Sequence, residues 1–320
     1  MTASSATSLP PARALGTAFK VALSGLLIFL VWRNIDLAGL PVLFANQSPG
    51  WVIAAAAVTV SQIVLGALRW DQVLRALALA VSRRAVLSVS YMGVFFNAWL
   101  LGNIGGDAAR AALAPTGIAG RAVIVHSVLF DRVLTIAGLG LVALPLVVFG
   151  LGPFSRNPAV LVSLAVCVLP FMGLAGMGWI TRIAFLPGPV AVRGRALARD
   201  WWRLCRARGR LACALAIAIA SQIAIPTVVY CLAQAQHVDL PFVDLLVLMP
   251  PVVILVALPI SAGGWGLREN LMVAALAPIG VAADSALLVS VQMGLLAALL
   301  SLPAGLLWLV RHGLRPVRSA

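Results

Sequence analysis

The chain is poor in charge and poorer still in particular charged residues. Of its 320 residues 10% are charged, against about a quarter in soluble domains, and 62% are hydrophobic. Nine residues are acidic, only one of them a glutamate, and of 23 basic residues a single one, Lys20, is a lysine. With a mean hydropathy of +1.06, the chain has too much apolar surface for a soluble fold of this length to hide. That excludes disorder, a secreted disulfide scaffold and a cytosolic enzyme, and points to an all-α polytopic membrane protein. The four cysteines, Cys167, Cys205, Cys213 and Cys231, form no CxxC pair, so neither a disulfide framework nor a zinc site is expected. His126, His237 and His312 lie far apart without an HxxxH partner. There is no Walker loop, GxSxG or HExxH. Gly263-Gly264-Trp265-Gly266 lacks the βαβ surroundings of a dinucleotide site. No catalytic residue, cofactor or metal is assigned.

What is present is apolar sequence in lengths that cross a bilayer, for which about 20 residues suffice. Six clear spans are expected, at 15–32, 51–68, 122–149, 158–181, 211–235 and 284–310. The first follows Arg13 and Lys20 and leads into Trp32-Arg33-Asn34 with no small-residue cleavage site, so it reads as an uncleaved span rather than a signal peptide. Residues 1–14 form a tail, 15–311 a single transmembrane domain, and 312–320 a second tail. Two further stretches, 87–118 and 243–281, are apolar but broken by glycine, proline and charge. Non-helical backbone at membrane depth is tolerated only where protein buries it or a wet cavity adjoins it, so both are read as re-entrant helical hairpins.

Charge placement orients the chain. Arg69, Arg75, Arg83 and Arg84 follow the second span, eight arginines from Arg182 to Arg210 follow the fourth, and Arg311, Arg315 and Arg318 close the sequence. The opposite loops hold Arg33 and Arg156. Basic loops stay on the cytoplasmic side, which puts both termini there, in a bacterial inner membrane, and accounts for most of the +14 net charge without nucleic acid. Arg195, Arg199, Arg203, Arg206 and Arg210 recur at helical spacing opposite Leu197, Trp201 and Leu204. That pattern predicts an interfacial amphipathic helix favouring anionic lipid, with tryptophan at the headgroup level.

The two broken stretches resemble each other. Gly105-Gly106-Asp107-Ala108-Ala109-Arg110 aligns with Gly263-Gly264-Trp265-Gly266-Leu267-Arg268, and Ser61-Gln62-Ile63 with Ser221-Gln222-Ile223. Gln62 precedes Gly106 by 44 residues and Gln222 precedes Gly264 by 42. Halves at about 1–155 and 156–320, each with three crossings, form an inverted repeat, the layout in which transporters place a site at the repeat interface.

Ionisable residues inside spans are costly and point to function. They fall in three pairs: Asp107 and Arg110, Asp131 and Arg132, Arg268 and Glu269. The six carry no net charge, so they either hold the hairpins together as ion pairs or line a polar cavity for a lipid headgroup. Arginine suits phosphate because its planar fork donates two hydrogen bonds together. Asp107 is also placed to cap a short helix. Gly105, Gly106, Gly263 and Gly264 let backbone N–H groups approach an anion, and Asn97, Ser261, Gln62 and Gln222 supply neutral hydrogen bonds, with Asn103 beside them. Tyr91, Phe95, Phe96 and Trp99 are expected to pack the first hairpin, and Gly173, Gly176 and Gly178 to make a close helix contact.

These residues carry a family resemblance. Tyr91-Met92-Gly93-Val94-Phe95-Phe96-Asn97, Gly105 to Arg110, Asp131-Arg132 and the run from Leu258 to Glu269 resemble the lysylphosphatidylglycerol synthase transmembrane region, or flippase-like domain family, over about 15–311. The first motif departs at Gly102, where proline is expected. The resemblance implies movement of lipid between leaflets. About ten residues follow the last span, so the soluble aminoacyl-transfer domain of larger members is not expected. Short relatives are associated with hopanoid or polyprenyl-linked lipids, which leaves the substrate open.

The expected function is a lipid flippase or translocase that moves or binds a phosphate-bearing lipid: a phospholipid, an aminoacyl-lipid or a polyprenyl-linked lipid. Two other readings stand beside it: a membrane-embedded transferase acting on a lipid-linked sugar or phosphate, and an accessory subunit of a lipid-modifying enzyme. Membrane lipids, anionic or phosphate-bearing, are the expected partners.

Overall fold

The structure, a computed structural model, describes residues 46–101, 103–115, 120–151, 157–180, 188–257 and 265–313. The expected first span and the stretch 258–264, with Ser261, Gly263 and Gly264, lie outside them. All regular structure among the described residues is helical. Four helices are long and apolar enough to cross a membrane: α1 (Pro49–Ala76), α4 (Gly120–Val148), α7 (Arg208–Ala235) and α10 (Ala283–Trp308). They cover the expected spans at 51–68, 122–149, 211–235 and 284–310. The expected span at 158–181 is the helix α5 (Pro158–Ile180).

Shorter helices fill the broken stretches. In the first, α2 (Arg83–Phe96) runs into a π-helical turn at Asn97–Leu101 and then α3 (Asn103–Leu113). In the second, α8 (Phe242–Ala257) is followed by α9 (Leu267–Leu276). Between the two sets lie α5 and the amphipathic α6 (Gly188–Arg206).

The elements occur twice in the same order, long–short–short–long, as α1 to α4 and as α7 to α10. Their packing repeats too. The most extensive interface joins α1 to α7; α2 packs on α3 and on α10, while α8 packs on α9 and on α4. Even the helix ends match. Beyond α1, Ala78 turns left-handed (φ 59°) and the Leu79 N–H donates to the Leu74 carbonyl at 2.9 Å. Beyond α7, His237 does so (φ 59°) and the Val238 N–H donates to the Ala233 carbonyl at 3.0 Å. Both are six-residue closures of the Schellman type made without glycine.

Apolar side chains point outward as well as inward. Ile53, Val148 and Leu306 are each more than 60% exposed, on helices that would reject water. Hydroxyls within the helices bond back to carbonyls of the preceding turn, as Thr59 does to Ala55 (2.8 Å) and Thr227 to Ile223 (2.8 Å), the usual resort where water is absent. The chain is a multi-pass membrane protein.

Glycine governs how closely the helices approach. A Cβ on Gly138 of α4 would lie 2.7 Å from the Ala218 backbone of α7. One on Gly305 of α10 would strike the Phe95 ring of α2, and one on Gly106 of α3 would strike the Asn97 side chain and the Gly93 carbonyl. Gly173 was expected at such a contact; among the described residues a Cβ there meets nothing within 4 Å.

The amphipathic segment is helical as its spacing predicts, but the tryptophan expected at the headgroups is elsewhere. Trp201 and Leu204 are buried, Trp201 against Phe130 at 5.4 Å between ring centroids. The bundle is a drier site than the interface, and Asp200 secures the helix there by accepting from His126 Nδ1 at 2.7 Å. The arginines at 193, 195, 199, 203 and 206 face outward, with Trp202 among them.

Candidate functional site

On α3, Asp107 and Arg110 sit three residues apart and so share a face. On α4, Asp131 and Arg132 are consecutive and diverge by about a quarter-turn. The consequence is a chain of ion pairs. Asp131 accepts from Arg110 Nη1 at 2.8 Å. Arg110 Nη2 donates to Asp107 Oδ1 at 2.6 Å. Asp107 in turn takes the fork of Arg132, from Nε at 2.6 Å and Nη2 at 3.0 Å. Asp107 lies inside α3, not at its start, and its carboxylate serves these arginines instead of capping the helix.

A residue the sequence reading assigned to orientation completes the chain. Arg69 donates to both oxygens of Asp131, from Nε at 2.7 Å and Nη2 at 3.3 Å, and to Ser221 Oγ from Nη1 at 3.1 Å. Position 69 looked cytoplasmic because the apolar run stops at Leu68. The helix, however, continues to Ala76, and Trp70, Val73 and Leu74 beyond Arg69 are buried. The recurrence of Trp70, Val73, Leu74 and Leu77 at helical spacing was the available signal. Asp131, with its side chain 1% exposed, is held by two guanidinium groups. A carboxylate taken out of water needs such pairing to stay charged.

The second break carries its own cluster. Gly266 (φ 81°) starts α9, a conformation open to glycine and strained for other residues. Its N–H donates to Glu269 Oε2 at 2.6 Å. Glu269 Oε1 pairs with Arg268, whose Nε also donates to Ser290 Oγ at 3.2 Å. The Arg268 guanidinium lies over the Trp265 ring, 4.7 Å from its centroid. It occupies the space over Gly294 on α10, where a Cβ would collide with it.

Both clusters border one cavity of about 600 Å³. Its polar wall includes Arg69, Asp107, Arg132 and Arg268 with Gln62 and Gln222; its apolar wall includes Ile136, Leu139, Val252, Met272 and Met293. Gln62 donates to the Ser221 carbonyl at 3.4 Å and Gln222 to the Thr135 carbonyl at 3.0 Å. Ser221 and Thr135, which the sequence reading did not assign to the site, also line it. The structure therefore brings the three expected charged pairs into two clusters and adds Arg69. That addition changes the balance: four arginines meet three carboxylates, leaving one positive charge where the sequence reading found none.

Asn97 and Gly106 play another part. The Gly106 N–H donates to Asn97 Oδ1 at 2.7 Å, closing the π turn onto α3, so both serve the hairpin. Gly105 is half-buried beside them. The aromatic stripe, expected to pack within the hairpin, reaches α10 instead: Tyr91 donates to the Leu300 carbonyl (2.6 Å), Trp99 to Ser301 Oγ (3.2 Å), and Phe96 meets Trp308 at 5.5 Å. Among the described residues, no three His, Cys, Asp or Glu side chains gather as metal ligands.

A family model described as the lysylphosphatidylglycerol synthase TM region matches residues 17–305, and the chain belongs to that family. A search of curated proteins returns no match.

Proposed function

We propose that this family member moves a phosphate-bearing lipid between the leaflets of the bacterial inner membrane, with both chain termini in the cytoplasm. The observation that carries the reading is the two-sided cavity. One wall presents Arg69, Arg132 and Arg268; the other is aliphatic and thioether. An arginine fork matches a phosphate, and the aliphatic wall matches an acyl or prenyl chain. A soluble anion would need only the first wall.

The duplicated order of elements, their duplicated packing and the matching ends of α1 and α7 support an inverted repeat. On that reading the two broken stretches are re-entrant hairpins entering from opposite sides, and alternating access rocks one half against the other about the α1–α7 interface. The charged clusters then face the substrate instead of serving only as struts.

Translocation in proteoliposomes tests this. Vesicles carrying the protein should expose fluorescent phosphatidylglycerol or polyprenyl phosphate to an impermeant quencher faster than empty vesicles, and should leave diacylglycerol, which flips unaided, unchanged. Rates equal to those of empty vesicles for every phosphate lipid tested would end the proposal.

A further inference from the structure

The charged chain divides into a sealed part and an open arm. Asp131 is 1% exposed and Arg110 10%, whereas Asp107 is 24% and Arg132 33%. Only Asp107 and Arg132 of these four line the cavity. The Arg132 fork is already engaged there, Nε on Asp107 Oδ2 and Nη2 on Asp107 Oδ1. That is the two-pronged grip an arginine makes on a phosphate.

Resting on the proposed function, we infer that Asp107 is a built-in stand-in for the substrate's phosphate, and that it sets the affinity an anion needs to open the site. An arriving phosphodiester replaces a carboxylate of equal charge on Arg132. The displaced Asp107 is not left alone, because Oδ1 also accepts from Arg110 Nη2 at 2.6 Å. The exchange is therefore one anion for another on one arginine, with the Asp131–Arg110 pair sealed behind it and the Arg69–Asp131 pair unchanged. The pocket of positive charge is kept closed until it is used, which avoids leaving a bare guanidinium in an apolar wall.

An affinity threshold follows from this competition. A tethered carboxylate in contact with Arg132 is present at high effective concentration. A small free anion has only the arginine to gain and must displace that carboxylate unaided. A lipid phosphate brings its chain onto Ile136, Leu139 and Val252 and so has a second source of affinity. Asp107 weakens both by the same factor, and the chain contacts keep the lipid phosphate bound at concentrations where free phosphate is shut out.

The sign of one substitution tests the inference. An arm closed nine-tenths of the time weakens apparent affinity about tenfold. Asp107→Asn should therefore bind inorganic phosphate about tenfold more tightly than wild type, measured by calorimetry on the full chain in lipid nanodiscs. Phosphatidylglycerol should tighten by a similar factor, because an arm that must open weakens both ligands alike, while Asp107→Glu keeps the wild-type affinities. If Asp107 is only a strut, Asp107→Asn binds both ligands equally well or more weakly, and the inference is overturned. Should Asp107→Asn fail to fold, infrared difference spectra of the wild type serve instead. Adding phosphatidylglycerol should shift a carboxylate band, and no shift overturns the inference. Wild type that binds phosphatidylglycerol while Asp107→Asn binds phosphate no better defeats this inference alone. Wild type that binds no phosphate lipid defeats the proposed function with it.

Discussion

Asp131→Asn is expected to be the most damaging substitution in the chain, at a cost of about 3–5 kcal/mol. The substitution changes almost no volume, so packing is not the reason. Arg69 and Arg110 both donate to this carboxylate, and removing its charge leaves two guanidinium groups facing each other away from water. Arg110 retains Asp107 at 2.6 Å, but Arg69 retains only the hydroxyl of Ser221. The variant should be extracted in low yield and unfold in detergent well below the wild type. Combining it with the loss of the arginine reverses much of the damage: Arg69→Met with Asp131→Leu should be clearly more stable than Asp131→Asn alone, because no uncompensated charge stays behind. Wild-type yield and unfolding temperature for Asp131→Asn would show that Arg69 and Asp131 are not the buried pair described.

Arg268→Gln should do the opposite, leaving the fold and removing the activity. Its guanidinium borders the cavity and rests on Trp265, while Glu269 keeps its bond to the Gly266 N–H and so still starts α9. Translocation of phosphate lipids should fall at least about tenfold, the loss of one charge-assisted pair being worth about 1.5–3 kcal/mol. Arg268→Lys should restore little, because an ammonium neither stacks on Trp265 as a plane nor forks onto a phosphate. A variant that folds and transports at the wild-type rate would remove Arg268 from the site.

The contrast between these two residues shows what was legible in the sequence. Hydropathy located the long helices, since a run of 20 apolar residues has few other uses. The glycine breaks located the charged residues, since Asp107, Arg110, Arg268 and Glu269 flank them. What hydropathy concealed was Arg69. An apolar run ends at the first charge, but the helix ends two turns later, where Ala78 turns left-handed. The charge thus fell outside the run and inside the protein. Trp201 illustrates the reverse: an amphipathic pattern shows which face is apolar, not whether that face meets lipid or the bundle. Asn97 and Gly106, expected to offer hydrogen bonds to a ligand, bond to each other, because a hydrogen bond within a turn has no signature distinct from one to a ligand. Residues 258–264 of the second break, with Ser261, Gly263 and Gly264, lie outside the described residues.

On the proposed function, a lipid's phosphate lies against Arg132 and Arg268, with its chain along the wall formed by Ile136, Val252 and Met272. The most direct measurement is photo-crosslinking with a phosphatidylglycerol bearing a diazirine in an acyl chain, in nanodiscs, followed by peptide mapping. Labelling is expected at the cavity positions Ile136, Val252 and Met272, competed by unlabelled phosphatidylglycerol and lost in Arg132→Gln with Arg268→Gln. Labelling confined to outward residues such as Ile53 and Leu306, and unchanged in that double variant, would contradict it.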